Sequence, residues 1–183
     1  MRTAPALLTV LVASLALTGC VPDDEPVVVD PSPSATPIFE SEEEALAAAE
    51  AAYGEYLAVS DLISASGGDD VEGLAEYVTS SHLETLLAEY EEFKASGRRT
   101  AGQTTFDSLQ LQQYSEIDNE AVVVVYLCLD VSQVRVIDQE GLDVTSADRK
   151  LRLPLEIQLT TVDRDGVLLI ENSTYWDGDD FCV

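Results

Sequence analysis

The feature that most constrains this chain is a change of hydrophobic period at Gly102. Before it, apolar residues recur at steps of three and four, which gives a helix one buried stripe; after it they alternate or run together, as strands require. Leu46, Ala49, Tyr53, Leu57 and Ile63 make the first stripe. It opens at Ser41-Glu42-Glu43-Glu44, a capping-box spacing with acids where the helix dipole favours them, and stops at Gly67-Gly68. Asp69 or Asp70 can cap a short second helix bearing Leu74, Tyr77 and Val78. Ser81 to Glu84 repeats the capping spacing, and Leu83, Leu86, Leu87, Tyr90 and Phe93 form the strongest stripe, closed by Gly97.

Four strands follow. Residues 104–114 carry Phe106, Leu109 and Leu111 inward, and the phase break between Phe106 and Leu109 predicts a bulge. Asp118-Asn119 is a turn. Residues 121–131 are apolar almost throughout, which predicts a central strand covered on both faces. Residues 138–150 read as a polar loop. Leu151, Leu153, Leu155, Ile157 and Leu159 alternate with mostly polar partners, one face for the core and one for water. Asp163-Arg164-Asp165-Gly166 reads as a hairpin turn, residues 167–176 as the return strand, and Asp177-Gly178-Asp179-Asp180 turns the tail. The fold class is α+β, N-terminal helices packed on a curved antiparallel sheet.

The start of the chain reads differently. A short basic beginning, Met1-Arg2-Thr3, precedes an apolar run over residues 6–17 that is too short for a hydrocarbon core of about 30 Å. This is a signal peptide, ending in Leu17-Thr18-Gly19-Cys20, which resembles a bacterial lipobox. That resemblance implies a diacylglyceryl chain on the Cys20 thiol and cleavage after Gly19. The partner it implies is membrane lipid at the extracytoplasmic face of a bacterial cell membrane, and a palmitate on the new amino terminus is possible in that family. Two or more chains anchor stably where one does not, at about 0.8 kcal/mol per buried methylene. Residues 20–39 then form a linker in which Pro22, Pro26, Pro31, Pro33 and Pro37 are interspersed with acids. Such a segment is extended and disordered, a stalk with a reach of at most about 3.1 Å per residue. The domain proper covers residues 40–183.

Charge and cysteines narrow the function. Nine basic residues against thirty-five acidic ones give a net charge of −26, which argues against nucleic acid and against adhesion to anionic headgroups. Export leaves Cys128 and Cys182 in a disulfide-permissive compartment, and the pair is expected to be joined. The single histidine, His82, sits at a predicted helix start between Ser81 and Leu83, where neighbouring side chains diverge. It reads as a surface or capping residue, not a base for Ser80 or Ser81. One histidine leaves zinc without ligands, and Asp163, Asp165 and Gly166 lack the Glu that a calcium loop needs at its twelfth position, where Thr174 stands. No cofactor, metal or catalytic residue is therefore assigned.

Three helices followed by four antiparallel strands resemble the nuclear-transport-factor-2-like superfamily, also called the ketosteroid-isomerase-like or cystatin-like cone. The likeness extends to exported lipoprotein members with one cysteine in a central strand, here Cys128, and one after the last strand, here Cys182. The resemblance implies a bent sheet and helices that enclose a pocket. Candidate lining residues are Tyr53, Tyr77, Tyr90, Phe93, Phe106, Tyr126 and Trp176. The leading expectation is a non-enzymatic module binding a protein, a wall component or a small apolar ligand. An isomerase- or dehydratase-like enzyme using a buried carboxylate or tyrosine is the alternative, and a structural spacer a third.

Overall fold

The computed structural model of the chain describes residues 36–162 and 165–182. The described residues belong to one compact unit, Ala35–Val183, built around one core. The signal segment, the lipobox with Cys20 and the stalk up to residue 35 lie outside the described residues, as do Asp163 and Arg164 of the hairpin turn.

Helix α1 spans Glu42–Ala65. Ser41 Oγ accepts from the Glu44 N–H at 3.2 Å, while Glu44 Oε2 accepts from the Glu40 N–H at 2.6 Å, one residue earlier than a strict capping box. The helix ends in a Schellman turn: the Gly68 N–H donates to the Ile63 carbonyl at 2.9 Å and the Gly67 N–H to that of Ser64 at 3.2 Å. Gly67 takes the positive φ that the turn requires, and Gly68 after it has positive φ as well. A 3-10 turn over Val71–Glu76 follows; Asp70 precedes it in the left-handed region, and its side chain makes no capping bond.

Helix α2 covers Ser80–Ala95 and starts earlier than the sequence pattern predicts. Thr79, not Ser81, is the cap, its Oγ1 accepting from the His82 N–H at 3.4 Å. The cause is tertiary. The Thr79 N–H donates to the Ile170 carbonyl at 3.0 Å and the Ile170 N–H to the Tyr77 carbonyl at 2.9 Å, so the chain is held extended up to residue 79 and the helix begins immediately after.

The strands are β1 (Arg99–Ala101), β2 (Thr105–Ile117), β3 (Glu120–Asp130), β4 (Arg135–Ile137), β5 (Arg152–Thr161) and β6 (Leu168–Tyr175). The main sheet has the order β2-β3-β5-β6, antiparallel throughout, while β1 and β4 pair separately. Strands this short carry no period, so β1 and β4 were not expected. Gly102 joins β1 to β2 at φ +106, and a Cβ there would lie 2.0 Å from the Gln133 carbonyl oxygen, so only glycine fits. The expected bulge is present: the β2–β3 register shifts between Asp107 and Gln110, with Ser108 at φ 56. A second shift follows Leu111, and together they keep Phe106, Leu111 and Tyr114 on one face while bending the strand. Asp118 and Asn119, both at positive φ, close the hairpin.

One face of the sheet carries Ala121, Val123, Val125 and Leu127 of β3 with Leu155, Ile157 and Leu159 of β5, all buried against Ala45, Ala49 and Tyr53 of α1. The alternation predicted for β5 starts later than expected. Leu151 is half exposed and Leu153 only partly buried. The chain is fixed at its point of arrival by Glu116, whose Oε1 accepts from the Ile38 and Phe39 amides at 2.8 and 3.2 Å and from the Tyr114 hydroxyl. Phe39 is itself part of the core, so packing begins ahead of the helix cap.

On the opposite face the tail folds back over the sheet. Cys128 and Cys182 form a disulfide, and Tyr126 stacks against Trp176 and Phe181 at ring separations of 4.7 and 5.9 Å. Arg152 ties this corner together, donating from Nε to the Cys182 carbonyl at 3.1 Å and from both terminal nitrogens to Asp107. The bond spans a sequence separation of 54 residues. Replacing both cysteines with alanine is expected to lower the unfolding free energy by about 4 kcal/mol and to loosen the only tryptophan, Trp176. Urea unfolding followed by its fluorescence measures this; an unchanged midpoint would refute the tail's role.

Candidate functional site

The residues along the buried stripe of α1 change in size. Ala45 and Ala49 are fully buried and small, whereas Tyr53, Tyr56 and Leu57 further along are large side chains that need more room between helix and sheet. Beyond them Ile63 continues the buried stripe, while Ser60, Asp61 and Ser64 on its flank present short side chains to a gap. A cavity of about 540 Å³ occupies it. Its helical wall is Tyr53, Tyr56, Leu57, Ser60, Asp61 and Ser64, with Glu89 from α2. Opposite stand Leu129 of β3, Leu155 of β5 and Ser173, Thr174 and Tyr175 of β6, while Thr100, Thr104, Val131 and Val134 close one side. Tyr175, 70% exposed, forms part of the rim.

Asp61, the two serines and the two tyrosines of this wall have defined partners or protonation states. Asp61 is engaged: its two oxygens accept from the Thr104 amide at 2.8 Å and the Thr104 hydroxyl at 2.7 Å, which pins the β1–β2 connection to the helix. Tyr90 of α2 places its hydroxyl 2.8 Å from Ser60 Oγ and 3.1 Å from Ser64 Oγ, bracing the serines from behind. Burial pushes the Tyr56 phenol up to about 12, with the neighbouring Tyr90 adding to the shift, and drives Tyr53 higher still. Both phenols are protonated donors at any physiological pH. Among the described residues, no lysine or arginine lines the cavity. The carboxylates with displaced pKa values lie elsewhere: Asp107, Asp130 and Asp143 are all pulled down, by hydrogen bonds from Arg152, Ser132 and Thr145 respectively.

A second hollow of about 350 Å³ adjoins the first, the two sharing Tyr56, Glu89 and Ser173. It is lined by Ser81, His82, Thr85 and Leu86 of α2 and by Glu171 and Asn172 of β6. His82 differs from the surface residue its sequence position suggested. With the helix capped at Thr79, it turns inward and is only 9% exposed, and its Nε2 is buried without a hydrogen-bond partner among the described residues. Burial lowers its pKa, opposed by the charge of Glu89.

The seven aromatic residues expected as lining are not brought together. Tyr53 lines the 540 Å³ cavity and meets Phe106 edge-on at 5.1 Å, Phe106 in turn facing a smaller hollow beside Gly54. Tyr90 and Phe93 stack edge-on behind the wall, and Tyr77 packs at the core margin with its carbonyl bound to Ile170. Tyr126 and Trp176 are corrected outright: they lie on the opposite face of the sheet. The residues inward from β3 are Val123, Val125 and Leu127, and alternation sends Tyr126 the other way. The actual lining includes Ser60, Ser64, Thr100 and Thr104, small polar residues that a search for large aromatic side chains passes over.

No protein-family model matches the chain, and no characterised protein matches it in sequence. Among solved structures it is similar to the intermembrane-space region of the chloroplast protein ARC6, with 13% identity and a TM-score of 0.50 over 71% of this chain and 95% of that one. Aln2 from a Streptomyces species is similar at 16% identity and a TM-score of 0.41, over 74% and 90% of the two chains. The first likeness bears on the fold alone, helices against a curved antiparallel sheet.

His82 gives a pH dependence with a definite sign. Its folded pKa is below the unfolded value of about 6.5, so the unfolded chain binds the proton first and stability falls as pH drops through that value. His82→Leu is expected to flatten the decline between about pH 7 and 5, as read by urea midpoints across that range. An equally steep decline in the variant would remove His82 as its source.

Proposed function

We propose that this chain is a lipid-anchored extracytoplasmic binding module whose ligand enters the 540 Å³ cavity between α1 and the open end of the sheet. The cavity carries the reading. Its volume suits a small molecule or a few side chains, and its wall combines Leu57, Leu129, Val131 and Leu155 with a set of neutral hydroxyl donors. Phenols held protonated by burial recognise a ligand's acceptor oxygen; they do not abstract a proton from carbon. With Asp61 occupied by Thr104, this arrangement favours binding over the isomerase- or dehydratase-like alternative.

Two features support placement outside the cytoplasm. Leu17-Thr18-Gly19-Cys20 follows an apolar run as a lipobox does, and the Cys128–Cys182 disulfide suits an oxidising compartment. Among the described residues, no helix is long and apolar enough to cross a membrane. Lipid on Cys20 supplies the attachment in this reading, and the acidic domain is repelled from anionic headgroups.

Cys20→Ala is expected to move the protein from the membrane fraction to the medium; retention in the membrane would contradict anchoring. The neutral dye Nile red is expected to bind the purified chain with a blue-shifted emission. Val131→Trp, which projects bulk into the cavity from a partly exposed position, should weaken that binding by roughly tenfold, or about 1.4 kcal/mol. Equal dye affinity in the variant would place the dye elsewhere.

A further inference from the structure

The geometry points to the free edge of β6 at Ser173–Tyr175 as a strand-addition site for an extended, basic segment of a protein partner, with alternate side chains of that segment entering the cavity. This rests on the reading of the cavity as a binding site and names what occupies it.

The backbone supplies the first observation. The outer edge of β6 is already paired at Ile170, which exchanges hydrogen bonds with Tyr77 and Thr79 in a parallel bridge at Val78. Beyond the bridge α2 flanks β6 across the hollow lined by Ser81, His82, Thr85 and Glu89, and the backbone pairing stops. A bulge between Gln158 and Leu159 in the β5–β6 register, with Glu171 as the extra residue, shifts which residues of β6 face outward. Further on, the Trp176 N–H donates to the Pro154 carbonyl at 2.9 Å, so the Trp176 backbone faces β5. Antiparallel ladders alternate, so the backbone groups of Tyr175 and Ser173 face away from β5. Among the described residues, their N–H and C=O groups have no backbone partner. Such an edge templates another strand unless lysine, proline or a covering segment guards it, and Ser173-Thr174-Tyr175 contains neither lysine nor proline.

The second observation is where this edge lies. Ser173 and Tyr175 pair with Ile157 and Leu155, whose side chains face the helices, so a strand added here runs along the rim of the cavity. Every second side chain of it would point toward Leu155 and Tyr56, the mode by which strand addition couples main-chain affinity to pocket specificity. Charge completes the assignment. Asp61 and Glu89 stand on a wall that holds no lysine or arginine among the described residues, Asp177 and Asp179 follow the strand exposed, and the chain carries −26 overall, which selects a cationic segment over an acidic one.

The test uses the purified chain, 15N-labelled, and an acetylated octapeptide of alternating lysine and valine. Binding is expected to slow amide exchange at Ser173 and Tyr175 by roughly tenfold or more, and methylating every backbone amide of the peptide should weaken binding by a similar factor. Ser173→Pro removes one outward N–H without touching the ladder to β5, and should weaken binding where Ser173→Ala does not. Peptide binding that leaves both amides unprotected, or that survives peptide methylation, overturns the inference. So does protection of the same amides in the free protein through self-association, which would make a second copy the occupant. If Nile red binds and Val131→Trp blocks it while the peptide does not bind, the cavity reading stands and the edge assignment falls; if neither binds, both fall.

Discussion

The packing of α1 against the sheet is the constraint from which the remaining architecture follows. A single 24-residue helix crosses the inner face, and its inward side chains decide how near the sheet can come at each turn. At Ala45 and Ala49 the side chains are small, and the interior is filled by Val123, Val125 and Ile157. At Tyr53 and Tyr56 they are large, and Ser60 and Ser64 beyond present short side chains to a gap. The domain is therefore filled beside Ala45 and Ala49 and opens into a wedge beside Ser60 and Ser64.

The other elements maintain that wedge. Asp61 clamps Thr104, so the strand connection cannot drift across the gap, and Tyr90 holds the two serines in place from α2. On the far face the disulfide and the Tyr126–Trp176–Phe181 cluster fold the tail back over β3 and β5, while Arg152 reaches Asp107 and Asp130 across neighbouring strands. These ion pairs are partly exposed, and such pairs contribute little singly. Their effect is geometric: they tie β5 to β2 and β3 beside the tail at Cys182.

Much of the fold was legible because long amphipathic elements write their period into the sequence. The stripes of α1 and α2, the bulge after Phe106, the turn at Asp118-Asn119 and the joining of Cys128 to Cys182 all follow from local spacing or cysteine count. Three kinds of feature were not legible. The start of α2 was set by hydrogen bonds between Tyr77, Thr79 and Ile170, residues far apart in sequence. Strands β1 and β4 are three residues each and carry no pattern. The facing of Tyr126 could not be read, because β3 is apolar on both faces and parity is visible only when one face is polar. The site suffered most from this, since a search for large aromatic residues passes over a wall of serine and threonine.

An interior closed at the Ala45–Ala49 end and open at the Ser60–Ser64 end has a direct signature. Methyl-resolved NMR with a small neutral nitroxide in solution reads it, because a nitroxide broadens only the methyl groups it can approach. Broadening is expected at Leu57, Leu129, Val131 and Leu155, with Ala45, Ala49, Val123 and Val125 left sharp. Equal protection of both sets would show that the wedge is shut and would contradict the open-ended interior on which the binding site depends.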